Sequence, residues 1–347
     1  RASASSTTND WRRLGEEVRQ RTGSRRPTVS QTAAAGVASR SGLGLLQREI
    51  TKKTRHLAIR RLLAELGDVA MDLKPCFLMS PMSVAQYLDA DHPPFDIVVF
   101  DEASQIPVWD AIGAIARGQQ AVIVGDPKQL PPTSFFSRSA DTEALEDDDI
   151  EDLESILEEC IGAQVPTHRL RWHYRSRHES LIAFSNERYY DSKLLTFPSG
   201  ASDGRGVRLQ YHPDAVYDKG ATRTNEIEAR AVAAEIVRRL RHPKESQRTI
   251  GVVTFSQAQQ TLVLDLLEAA VRKHPEIEPF FDEARQEPVF VKNLENVQGD
   301  ERDVIIFSIG YGPDANGRVS MNFGPLNNDG GERRLNVAIT RAREEVL

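Results

Sequence analysis

Two apolar runs, each ending in a polar cluster, constrain this chain more than any other feature. The first is Phe95-Asp96-Ile97-Val98-Val99-Phe100, which runs directly into Asp101-Glu102-Ala103-Ser104-Gln105. The second is Val122-Ile123-Val124, which leaves through Gly125-Asp126-Pro127-Lys128-Gln129-Leu130-Pro131-Pro132. Short apolar runs of this kind read as strands of a parallel sheet covered on both faces. Parallel strands need long, usually helical, crossovers, so strand and helix must alternate along the chain. Ligands of open α/β sheets gather beyond the carboxyl ends of the strands, which is where both polar clusters fall.

The rest of the chain keeps that alternation. Leu45, Leu46, Ile50, Leu57, Ile59, Leu62, Leu63 and Leu66 form a helical stripe over 45–66. The first α/β series is strand Cys76–Met79, helix Val84–Leu88, strand Ile97–Phe100, helix Ile106–Arg117 and strand Ala121–Val124. The second is strand Val207–Tyr211, helix Asn225–Arg241, strand Thr249–Val253, helix Gln257–Lys273, strands Val289–Val291 and Val304–Ile309, and helix Arg334–Glu344. The two series part near Gly162–Pro166, which gives three segments: 1–73, 74–165 and 166–347. The first segment opens with a loosely patterned arm carrying a short helix around Trp11–Gln20.

The polar clusters suggest chemistry. Asp101 can hold Mg²⁺, directly or through water. Glu102 can orient and deprotonate a water for attack on a γ-phosphate. The plainer reading is a carboxylate pair beside a helix N-terminus, favoured by its dipole. Gly125 permits a tight exit from the strand, and Pro127, Pro131 and Pro132 stiffen the loop. Gln129 is a neutral group able to hydrogen-bond a γ-phosphate or its attacking water.

Composition removes several classes. Two cysteines, Cys76 and Cys160, cannot build a disulfide framework or a four-cysteine zinc site. No apolar run approaches the roughly 20 residues of a membrane helix, and the first residues lack the apolar core of a signal peptide. A reducing, cytoplasmic setting without membrane contact is therefore expected. The net charge of −7 hides a split. Residues 1–61 carry 14 Lys/Arg and 4 Asp/Glu, a block suited to phosphate backbones or simply to a solvated arm. Residues 141–159 hold 11 Asp/Glu and no Lys or Arg, which reads as a solvated loop leading into a short helix, Leu153–Cys160.

The second cluster and its neighbours resemble superfamily 1 helicases, in the branch that includes the nonsense-mediated-decay RNA helicase. Asp101-Glu102-Ala103-Ser104-Gln105 and Gly125–Pro132 resemble that branch's second and third motifs. Arg171-Trp172-His173-Tyr174-Arg175-Ser176 resembles the fourth, which implies that Tyr174 stacks on adenine and Arg175 reaches the γ-phosphate. Val297-Gln298-Gly299-Asp300-Glu301-Arg302-Asp303 resembles the fifth, with Gly299 and Glu301 at the nucleotide and Glu301 on its ribose region. Arg334–Arg343 resembles the sixth, with Arg341 as an arginine finger. Arginine suits both phosphate roles because its planar fork grips phosphate oxygens.

The resemblance implies an α/β fold of two RecA-like P-loop NTPase lobes, the first incomplete, with the basic 1–73 segment inserted. It implies ATP and Mg²⁺ between the lobes, and 5′→3′ movement along single-stranded nucleic acid, DNA before RNA. Large prokaryotic helicase-like proteins share the stretches around Lys74–Pro81, Leu170–Ser180 and Lys292–Arg302, and many carry a very-short-patch-repair-like nuclease domain further along the same chain. Thr254 and Phe255 resemble a motif whose threonine contacts the nucleic-acid backbone; Ser80, Ser83 and Thr340 are further candidates, each also readable as a cap or turn residue. His168, His173 and His178 recur every five residues, not a one-face helical spacing, and are not expected to bind metal.

One motif is missing. Gly-x-x-x-x-Gly-Lys does not occur in the 347 residues. A complete ATPase of this family needs that loop to cradle phosphates. The chain is therefore expected to be a piece of a longer helicase that does not turn over ATP by itself. The alternative is a non-hydrolysing nucleotide sensor or scaffold in a repair or defence complex.

Overall fold

The computed structural model describes residues 42–132, 154–198, 206–328 and 330–347. The arm helix expected at 11–20, most of the basic block and the acidic loop before Glu154 lie outside the described residues. The chain divides into two compact units. Of the described residues, the smaller gathers 42–101 with Val108–Ile123, and the larger gathers Glu102–Pro107 with the residues from Val124 onward.

The larger unit is built on a four-stranded, all-parallel sheet. Its strands are β5 (Ile250–Thr254), β6 (Phe290–Asn293), β7 (Arg302–Ser308) and β8 (Ala342–Val346), in the order β6-β5-β7-β8. Successive side chains of a strand point to opposite faces. Ile250 and Val252 of β5, with Val304 and Ile306 of β7, meet one helical layer. That layer is α8 (Glu226–Arg241), through Ala229, Val232 and Ile236, and α9 (Gln257–Lys273), through Val263 and Leu267. Val253 and Ile305 point the other way, into a core with Leu181 of α7 (Ser180–Tyr189) and Val337 and Ala338 of α10 (Gly331–Ile339). The result is a sheet flanked by helices on both faces, as the apolar runs require. Asn225 caps α8 by accepting from Glu228 N, and Ser256 caps α9 by accepting from Gln259 N. A small parallel pair, β3 (Trp172–His173) with β4 (Leu195–Thr196), precedes this sheet in the chain, as does α6 (Ile156–Gly162).

The smaller unit holds α1 (Gly42–Thr51), α2 (Ile59–Leu66), α3 (Asp68–Leu73), α4 (Pro81–Tyr87) and α5 (Val108–Ile115). Its two strands, β1 (Val98–Phe100) and β2 (Ala121–Ile123), pair in parallel, with Val99 opposite Val122.

Four expectations need correction. The single stripe over 45–66 is two helices, because Arg55 at φ 56° breaks the repeat. Cys76–Met79 is not a strand; Cys76 and Leu78 are exposed and no strand among the described residues pairs with them. Val207–Tyr211 contributes only one bridge, Val207 to Val346, since Leu209 and Tyr211 point to solvent. The last helix ends at Ile339, where Thr340 Oγ1 turns back to Asn336 O and Val337 O, and the chain continues as β8.

Candidate functional site

An open pocket of about 620 Å³ lies in the larger unit, lined by Trp172–Arg175 with Arg177, Glu301 and Arg343. It sits at the amino ends of β7 and β8: Glu301 immediately precedes β7, and Arg343 is the second residue of β8. Arg177 N donates to Arg343 O at 2.8 Å, which ties the 172–177 loop to β8. Tyr174 projects its ring into solvent, 83% exposed, so one aromatic face is available for stacking. Trp172 is stacked on Phe197, with ring centroids 5.1 Å apart.

The pocket's charges are interlocked. Arg175 Nε donates to Glu301 Oε2 at 2.6 Å, and its Nη1 to Thr340 O at 3.4 Å. Arg343 pairs with Glu287 at 2.6 Å, Asp303 at 3.0 Å and Glu301 at 3.5 Å. Arg177 pairs with Glu344, so the pocket lining holds three guanidiniums, from Arg175, Arg177 and Arg343, and one carboxylate, Glu301, an arrangement that favours an anionic ligand.

Arg341 lies deeper, 3% exposed. Its Nε donates to Val337 O at 2.8 Å and its Nη2 to Thr340 Oγ1 at 3.2 Å. Burial, then the like charge of Arg175, pushes its guanidinium down to about 10, against the pull of Glu102, Glu301 and Tyr190. The neighbouring carboxylates are engaged elsewhere: Glu344 pairs with Arg177 and Arg248, and Glu345 with Arg208, Arg239 and Arg248.

Glu102 has φ 52°, a left-handed conformation that is strained for a side-chain-bearing residue. Its Oε2 accepts from Gln298 Nε2 at 3.4 Å. The adjoining Gly299 has φ 86°, which only glycine adopts without strain. Within the Gly125–Pro132 loop, Asp126 acts as a hub. It accepts from Lys128 N at 2.9 Å, Gln129 Nε2 at 3.1 Å and the Tyr190 hydroxyl at 2.7 Å. Asn336 Nδ2 donates to both Lys128 O at 2.8 Å and Tyr190 Oη at 2.9 Å. Burial and the Asp126 carboxylate push the Tyr190 hydroxyl well above its ordinary range. At Gly125 a Cβ would meet Ser104 N at 2.9 Å, so the loop's close seating needs glycine.

The structure therefore brings Tyr174, Arg175 and Glu301 to one pocket, with Arg341 beside Arg175 and within the electrostatic reach of Glu102. Gln129 belongs to the Asp126 hub. Asp101, at the end of β1, belongs to the smaller unit. Among the described residues there is no cluster of three His, Cys, Asp or Glu suited to a metal. Asp101 is exposed, directly after β1.

The nucleic-acid candidates divide. Ser80 caps α4 by accepting from Ser83 N at 3.2 Å. Thr254 is buried at the carboxyl end of β5, its hydroxyl on Ser256 O at 3.0 Å, and the Thr340 hydroxyl is held by α10. These two present no free hydroxyl at the surface. Phe255 packs edge-on against Phe307. Thr254 and Phe255 lie at the opposite rim of the sheet from the pocket. Tyr190, Asn336 and Arg343 were not singled out from the sequence. Asn336 and Arg343 lie within the stretch that resembles the sixth motif, and reading 334–344 as one helix hid Arg343; no local pattern marks Tyr190.

A family model described as AAA domain matches residues 153–347, and a second AAA domain model matches residues 81–137. An uncharacterized ATP-dependent helicase of Mycoplasma genitalium, MG140, is 35% identical over 293 residues, which is 80% of this chain and 25% of that protein. Its Mycoplasma pneumoniae homolog is 33% identical over 284 residues, 79% of this chain and 24% of that protein. The mouse 5′-3′ DNA helicase ZGRF1 is 28% identical over 264 residues, 73% of this chain and 12% of that protein. The chain thus spans a quarter or less of the length of these relatives. A solved PRRSV helicase covers 73% of this chain and 34% of its own at 14% identity, with a TM-score of 0.34, too loose an overlay to bear on the fold.

Proposed function

This chain belongs to the AAA domain family, and on that premise we propose that it is part of the motor core of an ATP-dependent superfamily 1 helicase. The observation that carries the reading is the pocket in which Tyr174, Arg175 and Glu301, distant in sequence, meet beside the buried Arg341. Tyr174 offers the aromatic face for adenine. Glu301 accepts from the ribose hydroxyls. Arg175 leaves Glu301 for the phosphates, and Arg341 stabilises the charge that develops on the transferring phosphoryl group. Glu102 takes the proton of the attacking water, and Gln129, aimed by Asp126, orients that water. Mg²⁺ held by Asp101 would neutralise phosphate charge.

The work done is movement along single-stranded nucleic acid. DNA and 5′→3′ polarity are favoured by the name of the mouse relative. Phe255, at the rim opposite the pocket, and Ser83, at the start of α4, are the candidate contacts with the strand. Thr254 and Thr340 support that path by holding backbone. The sequence holds no Gly-x-x-x-x-Gly-Lys. The second reading is a nucleotide sensor or scaffold that binds without hydrolysis, which a full reading frame lacking that loop would favour.

Arg341 separates the readings, tested in a helicase chain that carries both Arg341 and a phosphate-binding loop. Steady-state ATPase with single-stranded DNA should fall by about 10³-fold or more in R341A. R341K should not restore it, since lysine lacks the planar fork. DNA binding without nucleotide should be unchanged in both variants, which guards against misfolding. Wild-type turnover in R341A would sink the motor reading.

A further inference from the structure

We infer that His173 is a positioning residue: as a neutral imidazole it holds the turn that presents Tyr174 and Arg175 to the pocket, and protonating it releases them. The inference rests on the nucleotide reading of that pocket. The decisive contact is a backbone one. Ser176 N lies 3.2 Å from His173 Nε2. A backbone N–H can only donate, so Nε2 must offer its lone pair, and the ring proton must sit on Nδ1. The Ser176 hydroxyl lies 2.8 Å from the same nitrogen. His173 and Ser176 therefore close a loop around the two residues between them, Tyr174 and Arg175.

An imidazolium carries protons on both nitrogens and cannot accept. Protonation would set the Ser176 N–H against an N–H and open the turn. The surroundings oppose protonation. Arg175 and Arg177 stand on the same loop and Arg343 faces it from β8; the carboxylates facing it are Glu301, from the start of β7, and Glu344 of β8, which is paired with Arg177. Burial, then Arg175, holds the His173 ring below the ordinary imidazole range. The same device recurs nearby: His178 Nδ1 accepts from Ser180 N at 3.1 Å, with the Ser180 hydroxyl at 2.7 Å. His173 and His178 thus each use a ring nitrogen to hold backbone.

The test is ADP binding by titration calorimetry between pH 8 and pH 5, alongside nitrogen NMR of labelled histidine. Wild type should keep its affinity down to the ordinary imidazole value of about 6.5 and then lose about tenfold or more. NMR should report the Nδ1–H tautomer of His173 throughout the plateau. H173Q places an amide oxygen where Nε2 was, accepts from Ser176 N and cannot titrate. It should bind like wild type at pH 8 and lose its acid fall, which separates the effect from protonation of the nucleotide's own phosphate. H173F, which fills the space without an acceptor, should bind weakly at every pH. A wild-type chain that binds no ADP at pH 8 overturns the pocket's nucleotide reading and this inference with it. ADP binding that is flat across pH, an acid fall that persists in H173Q, or an Nε2–H tautomer overturns the inference alone.

Discussion

The four-stranded sheet of the larger unit and the β1–β2 pair of the smaller are made of the same kind of strand and end in opposite conditions. In the larger unit, β5 (Ile250-Gly251-Val252-Val253-Thr254) is buried at every position. In the smaller, Val99 in the middle of β1 is 58% exposed, and Ile97 and Val122 are also open. The difference lies in the neighbours. Strand β5 has a partner on each side and helices on both faces, whereas β1 has one partner among the described residues. An apolar run dictates a strand, but only added strands and layers bury it. The same contrast extends to charge. The larger unit buries Arg239 against Glu345 at 2.8 Å and Glu235 at 2.7 Å, an arrangement that needs a closed interior.

Three measurements can break or sharpen that contrast. The largest effect should come from the buried pair. In E345Q, Arg239 loses its main partner and keeps Glu235 and, at 3.8 Å, Glu245, at a cost of about 3–5 kcal/mol in urea unfolding of the larger unit. The same carboxyl sets an acid dependence. Burial alone would raise it, but Arg239 and Arg208 overcome burial and hold it down to about 2, against 4.5 unperturbed. Its contribution is therefore present above pH 4.5 and lost as pH falls through about 2, and E345Q should flatten that part of the stability–pH curve. Next is I305A, which leaves a cavity between β7 and α10 and should cost about 2–4 kcal/mol. The smallest is V99A, expected to change stability by less than about 0.5 kcal/mol because the side chain already faces water. A V99A cost equal to that of I305A would show that the β1 face is covered in solution, and the contrast would fail.

Legibility followed the same divide between local pattern and tertiary context. Helix α9 has the bounds read from its periodicity, Gln257–Lys273, and α8 differs only in that Asn225 is its cap. Both carry long apolar stripes and N-cap side chains, which are local signals. The helix read over Arg334–Glu344 takes in Ala342, Arg343 and Glu344, which with Glu345 and Val346 form β8. They form a strand because Arg239, Arg248 and Arg177 are waiting to pair with them, and no window of sequence contains that information. The site divides similarly. Tyr174, Arg175 and Glu301 were legible because each sits in a recognisable motif. The Asp126–Tyr190–Asn336 hub was not, because chain segments far apart in sequence meet only in the fold.

The parallel arrangement of β5 and β7 has a mechanical consequence. The candidate nucleotide pocket is at the amino end of β7, and Thr254 and Phe255 stand beside its carboxyl end, across from Ser308. Seven residues of strand separate them, about 20 Å at some 3.3 Å of rise per residue. A strand hydrogen-bonded on both sides and packed on both faces does not stretch or bend appreciably at that length. It behaves as a strut, so a displacement imposed at Glu301 arrives at the far rim undiminished, as travel in place of strain.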